Sequence, residues 1–210
     1  MKVIVIKEGI HRKQEPGTGY ISRIDPICSS VTLVKAENND ETNILIDTGY
    51  HSYGQEILDN LRNEGIEPED IQYIINTHEH FDHCGNNHLF PNASAIVGKI
   101  KWNPDTSIDV YENIEDIDIQ KGIKLIETPG HKFPHVSVVV EADQKYVIAG
   151  DTITKDFFIT GYERHEKITS AKKVLDMADT VIPGHGPLIY KEDFEQVRKK
   201  IAQYEQNQSI

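Results

Sequence analysis

The sequence predicts a mixed α/β fold in which many short strands are combined with several helices. Its 210 residues are 38% hydrophobic and 27% charged, which is ordinary for a globular protein able to bury about 70% of its unfolded surface. Short β-branched runs recur along the chain, and other stretches place apolar residues at helical spacing. Because neither an internal repeat nor a linker-like stretch divides the sequence, we expect a single domain over residues 1–210.

The first half of the chain is dominated by predicted strands. They cover residues 3–6, 30–35, 43–46 and 71–75, and a loop rich in Gly and Pro, 11–19, follows the first of them. The Asn-Asn-Asp sequence between the second and third strands predicts a hairpin. A helix is predicted from about Ser52, and Gly65 is expected just beyond its C-terminus.

The second half combines further strands with two helices. The predicted strands are 93–97, 123–126, 136–140, 146–149 and 180–182, with an acidic edge strand and loop within 103–118. One helix is expected over 169–178, with Thr169 or Ser170 as its N-cap. The other spans about 192–205 and should bury Phe194, Val197, Ile201 and Tyr204.

Composition also limits the partners and the compartment. The 22 basic and 34 acidic residues give a net charge of −12, which disfavours a nucleic-acid partner without excluding one. Two cysteines, Cys28 and Cys84, form no disulfide framework. The N-terminal apolar run is too short for a signal peptide, and no window is long enough to cross a membrane. A soluble, cytoplasmic protein without a membrane partner is expected.

The densest group of chemically active residues is Thr-His-Glu-His-Phe-Asp-His, residues 77–83, directly after a predicted buried strand. In an extended chain His78 and His80 point to the same side, and a following turn would bring Asp82 and His83 to the same pocket. Imidazole and carboxylate groups are ligands of zinc, iron and manganese. The alternative is a polar surface loop, but three histidines and an aspartate within six residues favour a metal site.

Three further candidate ligands each follow a glycine at a strand end. They are His131 in Thr-Pro-Gly-His, Asp151 in Ala-Gly-Asp-Thr and His185 in Pro-Gly-His-Gly-Pro. Taken singly, a Gly-His pair is more typical of a turn than of a ligand. Together with the first group they indicate one metal site assembled from several loops.

In order and in kind these residues resemble the motifs of the metallo-β-lactamase superfamily, and the resemblance runs from about residue 30 to 187. Asp47 in Leu-Ile-Asp-Thr-Gly matches the family's first motif, whose aspartate supports the metal loops without binding metal. The resemblance implies a four-layer αββα sandwich: two packed mixed β-sheets flanked by helices, with the metals at one edge.

The resemblance also implies a complete binuclear ligand set. It assigns His78, His80 and His131 to one metal, Asp82, His83 and His185 to the other, and Asp151 to both. Zinc is the expected metal, and iron or manganese fits the same ligands. An aspartate at the bridging position, where true zinc β-lactamases have cysteine, argues against antibiotic hydrolysis.

The implied mechanism uses the charge of the metals. Two divalent cations lower the pKa of a shared water from about 15.7 toward neutrality, which supplies a hydroxide nucleophile. By resemblance, Asp82 is the catalytic residue that carries a proton to the leaving group.

The expected activity is hydrolysis of a small-molecule ester, thioester or lactone. Lactonases that open acyl-homoserine lactones often have a tyrosine three residues after the bridging aspartate. This chain has Thr154 there, which disfavours acyl-homoserine lactones as the substrate. A metal-dependent ribonuclease or phosphodiesterase is the first alternative. A mononuclear iron persulfide dioxygenase, which uses only the first metal site, is the second.

Several other residues near the motifs carry weaker expectations. We expect His135 to be packed rather than a ligand, and Cys84 to be a small buried residue rather than a nucleophile. Substrate contact and a plain surface position stay open for Tyr50, His51, Tyr53, Tyr162 and His165.

Overall fold

The computed structural model describes residues 1–10, 27–156 and 164–206. The loop expected over 11–19 and Tyr162 lie outside this range. Within it, the chain forms two mixed β-sheets.

The first sheet has seven strands in sequence order. They are β1 (Lys2–Lys7), β2 (Val31–Lys35), β3 (Asn43–Ile46), β4 (Ile71–Asn76), β5 (Ser94–Val97), β6 (Ile100–Trp102) and β7 (Ile108–Val110). Strands β2 and β3 form the predicted antiparallel hairpin, and β7 is the edge strand expected in the acidic stretch. Strands β3, β4 and β5 are parallel, with Ile46 beside Ile75 and Ile75 beside Ile96. Their carboxyl ends therefore meet at one edge of the sheet.

The second sheet has five strands in the order β12-β11-β10-β9-β8. They are β8 (Ile123–Glu127), β9 (Val136–Glu141), β10 (Lys145–Gly150), β11 (Thr180–Pro183) and β12 (Ile189–Tyr190). Strands β10 and β11 are parallel and the other pairs are antiparallel. The ends of β10 and β11 thus lie together, beside the β8–β9 connection.

In the described ranges four α-helices accompany the sheets: α1 (Gly54–Asn63), α2 (Phe81–Cys84), α3 (Arg164–Met177) and α4 (Phe194–Gln206). Helix α1 is confirmed, and Gly65 follows it with a φ of +74°, the left-handed conformation that favours glycine. No helix in the described ranges has the length and apolar character needed to cross a bilayer.

The predicted start of α3 is wrong. The helix begins at Arg164, so Thr169 and Ser170 lie inside it rather than at its N-cap. Their hydroxyl groups have other partners: Thr169 donates to the carbonyl oxygen of His165 at 3.1 Å, and Ser170 donates to that of Pro129 at 2.8 Å. A serine or threonine before an apolar face is therefore not a unique sign of a helix start.

Among the residues that the structure describes, three apolar clusters hold the layers together. Ile44, Ile46, Ile75, Val138 and Ile148 lie in the cluster between the two sheets. Because strand side chains alternate in direction, Leu45 faces the other way and packs with Ile57 and Leu61 of α1. Helices α3 and α4 cover the outer face of the second sheet through Val174, Val197 and Ile201. This arrangement confirms the αββα sandwich.

Candidate metal centre

All seven predicted ligands lie at the sheet edge where the parallel strands end. His78 and His80 follow β4, Asp82 and His83 lie on α2, His131 lies in the β8–β9 loop, Asp151 follows β10 and His185 follows β11. Both sheets therefore contribute to one site. The structure separates the seven into two compact groups, one with His78, His80, His131 and Asp151 and the other with Asp82, His83 and His185.

The first group places three ring nitrogens and a carboxylate oxygen around one point. Nδ1 of His80 lies 2.9 Å from Nε2 of His78 and 3.2 Å from Nε2 of His131. The same nitrogen of His131 lies 3.2 Å from Oδ2 of Asp151. Zinc–nitrogen bonds of about 2.0–2.1 Å in a tetrahedron separate neighbouring ligand atoms by roughly 3.3–3.4 Å. The observed spacing fits a metal ion of that size.

Two buried atoms at the second group lack a hydrogen-bond partner, one from His83 and one from Asp151 of the first group. Nε2 of His185 lies 3.3 Å from Oδ2 of Asp82 and 3.4 Å from Oδ1 of Asp151, and Nε2 of His83 lies 3.4 Å from the same Oδ1. Nε2 of His83 and Oδ1 of Asp151 are buried without a hydrogen bond. Such buried polar atoms cost about 1–3 kcal/mol each, so a cation between them would satisfy both. Asp151 offers one oxygen to each group.

Asp47 orients the ligands from behind. Its Oδ2 accepts a hydrogen bond from Nδ1 of His83 at 2.8 Å, and its Oδ1 accepts one from the backbone N–H of Thr77 at 2.8 Å. The Thr77 hydroxyl donates to Oδ2 of Asp47 at 2.9 Å and lies 3.1 Å from Nδ1 of His78. Because the Nδ1 atoms are bonded here, the Nε2 lone pairs of both histidines face the metal groups. Thr77 had no predicted role, and its position directly before His78 is the only sequence signal for one.

His135 is packed beneath the first group and belongs to neither group. Its Nε2 accepts a hydrogen bond from the backbone N–H of Asp151 at 3.2 Å, and its Nδ1 lies 3.0 Å from the Thr128 hydroxyl. The ring stacks on His78 with centroids 5.0 Å apart. Burial lowers the pKa of His135 to about 3, so the ring is neutral. This environment agrees with the expectation of a packed histidine.

The carboxylates of the site attract positive charge. Burial opposes the charge on His83 and His185, but the neighbouring carboxylates outweigh it and raise the pKa of both rings. Burial lowers the pKa of His78 and brings that of His131 to about 4, which leaves both rings neutral and able to bind metal. Burial opposes the charge on Asp151, but His185 and His83 outweigh it and hold the pKa of that carboxyl well below its usual range. With Asp47 and Asp82 beside it, the site concentrates three carboxylates.

The remaining expectations have mixed outcomes. Cys84 is half-buried rather than buried, and its thiol donates to the carbonyl oxygen of His80 at 3.3 Å. His165 is exposed at the start of α3, and His51 is exposed too. Tyr53 packs beneath the Lys7 ammonium, which lies 4.1 Å from the ring centroid.

Comparison with known proteins gives consistent matches. The model of the metallo-beta-lactamase superfamily matches residues 25–109. A Methanocaldococcus jannaschii protein named "Probable metallo-hydrolase" is 31% identical over 156 residues, covering 71% of this chain and 73% of that protein. The "Metallo-beta-lactamase domain-containing protein 1" of Xenopus laevis is 30% identical over 170 residues, covering 75% and 70%.

More distant matches extend the comparison. An N-acyl homoserine lactonase of a Bacillus species is 27% identical over 165 residues, covering 68% of this chain and 64% of the lactonase. The crystal structure of a candidate metallo-β-lactamase of Thermotoga maritima aligns with a TM-score of 0.65 at 22% identity, covering 90% and 98% of the two chains. The structural match supports the fold.

Proposed function

The chain belongs to the metallo-β-lactamase superfamily of metal-dependent hydrolases, and on this basis we propose that it binds two divalent ions, with zinc as the expected metal, and cleaves a small ester, thioester or lactone. One observation carries the proposal. The carboxylate of Asp151 has Oδ2 beside His131 in the first group and Oδ1 beside His83 and His185 in the second.

Partial exposure of the ligands favours a catalytic site over a structural one. Structural zinc sites are usually closed by four protein ligands, whereas catalytic sites keep a position open to solvent or substrate. The side chains of Asp82, His131 and His185 are 19%, 18% and 13% exposed. Each group therefore has at least one proposed ligand in contact with solvent.

Within this proposal, the residues of the chain position groups and move a proton. Bound divalent ions supply Lewis acidity, which polarises a substrate carbonyl and lowers the pKa of water toward neutrality. Burial opposes the charge on Asp82, but its hydrogen bond to His185 outweighs this and lowers the pKa of the carboxyl group. The ionised Asp82 accepts a proton from water and then donates it to the leaving alcohol or thiol. Asp47 holds the ring of His83 in position, and Thr77 holds that of His78.

Charge and similarity both bear on the substrate. A net charge of −12 repels polyanions such as RNA, whereas a neutral ester, thioester or lactone carries no such penalty. The similarity to an N-acyl homoserine lactonase supports a carboxylic ester bond as the target.

A substrate panel tests the proposal directly. The metal-reconstituted full chain is assayed on thioesters, lactones, a phosphodiester and RNA, alongside Asp82→Ala, His83→Ala and the exposed control Asp118→Asn. We expect turnover of a carboxylic ester or thioester, reduced at least about 100-fold in the first two variants and unchanged in the control.

Three outcomes would contradict it. Cleavage of RNA alone would identify a nuclease. One iron per chain with persulfide oxidation would identify a dioxygenase. Equal activity in Asp82→Ala, His83→Ala and the unmodified chain would place the chemistry elsewhere.

A further inference from the structure

We infer that an apolar cavity beside the metal centre receives the acyl group of the substrate, which would make medium-length acyl esters or thioesters the preferred class. The inference rests on the proposed function. The cavity, called the acyl cavity below, is lined by residues that include Lys99, Ile100, Ile114, Glu127, Phe133 and Pro134. It lies between the β5–β6 hairpin and the β8–β9 loop.

The size and lining of the acyl cavity suit a short hydrocarbon chain. Its volume is about 230 Å³. An engineered apolar cavity of about 150 Å³ is enough to bind benzene, so a six-carbon chain fits here. Most of the wall is aliphatic or aromatic, and the charged groups of Lys99 and Glu127 pair with each other at 3.6 Å.

One loop joins the acyl cavity to the metal ligands. The β8–β9 connection places His131 in the first group and, two and three residues later, places Phe133 and Pro134 in the cavity wall. His135 lines the cavity and stacks on His78 at 5.0 Å. Because both nitrogens of His135 are bonded to Thr128 and to Asp151, its ring offers mainly a carbon face. The cavity is therefore one side chain away from the first group.

An exposed aromatic side chain supports a ligand-binding role for the acyl cavity. Phe133 is 76% exposed although it lies on a loop that carries a proposed metal ligand. A hydrocarbon chain entering the cavity would cover part of this ring and gain about 0.8 kcal/mol for each buried methylene. That gain corresponds to roughly a fourfold increase in kcat/KM per methylene if the contact persists in the transition state.

The kinetic test compares acyl chain lengths. We expect kcat/KM for p-nitrophenyl esters of the metal-loaded protein to rise about fourfold per methylene from acetyl to hexanoyl. Ile100→Phe, which fills the cavity, should lower the hexanoyl value at least about tenfold and leave acetyl within about twofold. Ile100→Ala, which enlarges it, should move the optimum toward octanoyl. The matched controls Ile108→Phe and Ile108→Ala change an exposed residue of β7 and should alter neither value.

A binding measurement separates this inference from the proposed function. Hexanoate titrated into protein with labelled isoleucine methyl groups should shift the signals of Ile100 and Ile114 but not Ile108, and acetate should shift none of the three. If hexanoate causes these shifts but no ester is hydrolysed, the proposed function is overturned, while the cavity's role in binding an acyl chain is supported. Three results would overturn the inference about the acyl cavity. The first is ester hydrolysis without the methyl signal shifts, and the second is a kcat/KM that does not depend on acyl length. The third is an equal loss of activity on acetyl and hexanoyl esters in Ile100→Phe.

Discussion

Asp47 lies outside both candidate metal groups, yet it orients residues of each. It adopts a φ of +56° although it is not glycine, which costs of order 1–3 kcal/mol, and it is almost fully buried. In this conformation its carboxylate accepts hydrogen bonds from both His83 and Thr77. The strained backbone is thus compensated by hydrogen bonds that orient the candidate ligands.

Replacing Asp47 by Asn should weaken metal binding more than it disturbs the fold. The amide has nearly the same shape but lacks the charge that fixes the Nδ1–H of His83, and loss of such support typically costs 10–100-fold in metal affinity. The dissociation constant for the metal is measured by titration, with bound metal quantified by elemental analysis. The exposed Asp118→Asn is the control. Unchanged affinity in Asp47→Asn would show that this bond does not support the site.

His135→Phe distinguishes a packed histidine from a ligand. The phenyl ring keeps the stack on His78 but leaves the Asp151 N–H and the Thr128 hydroxyl without this partner. We expect a loss of about 1–3 kcal/mol in the free energy of unfolding with the metal content per chain preserved. The exposed His88→Phe serves as control for both measurements. Loss of one metal ion from His135→Phe alone would make His135 a ligand.

Helix α3 packs against the β8–β9 loop and thereby helps to position His131. Gly130 has a φ of +115°, and a Cβ added there would lie 2.1 Å from the backbone nitrogen of Lys167 in α3. The Ser170 hydroxyl also donates to the carbonyl oxygen of Pro129 in the same loop. Helix α3, on the outer face of the second sheet, is therefore in direct contact with the loop that carries the proposed ligand His131.

Gly130→Ala should be far more damaging than Gly65→Ala. Both glycines have positive φ, but a Cβ at Gly65 would meet nothing within 4 Å. We expect about 1–2 kcal/mol of destabilisation at Gly65 and about 3 kcal/mol or more at Gly130, measured by urea unfolding. Equal losses would mean that the loop and α3 move apart without cost.

At the level of elements, periodicity and turn chemistry predicted most of the fold. Helix α1 and strand β4 were recognisable because a long apolar face and a buried apolar run are local signals. Strands β6 and β12, only three and two residues long, carry too little pattern to be recognised. The roles of Thr77 and Thr128 could not be predicted, since they depend on side chains from distant strands.

At the level of the whole molecule, the proposed metal centre joins the two sheets. His78, His80, Asp82 and His83 belong to the first half of the sandwich and His131, Asp151 and His185 to the second. The motif spacing alone indicated metal chemistry, but only the sandwich brings these loops together. Any ion held between the halves should stabilise the folded state.

Metal removal should therefore lower the melting temperature. Saturation at about 100 times the dissociation constant adds roughly 2.7 kcal/mol per site, and each kcal/mol corresponds to about 2–4 °C in a chain of this size. We expect chelation to lower Tm by at least about 5 °C, and added zinc to restore it. In the double variant His131→Ala/His185→Ala, chelation should lower Tm by a much smaller amount. If chelation left the Tm of the unmodified chain unchanged, metal binding would not contribute to the stability of the fold.

The stoichiometry of bound metal tests the central claim most directly. Elemental analysis of dialysed, metal-reconstituted protein should give two ions per chain in the unmodified protein and about one in each single variant, His131→Ala and His185→Ala. A single ion in the unmodified chain, or two ions in both variants, would contradict a paired site in which Asp151 is shared.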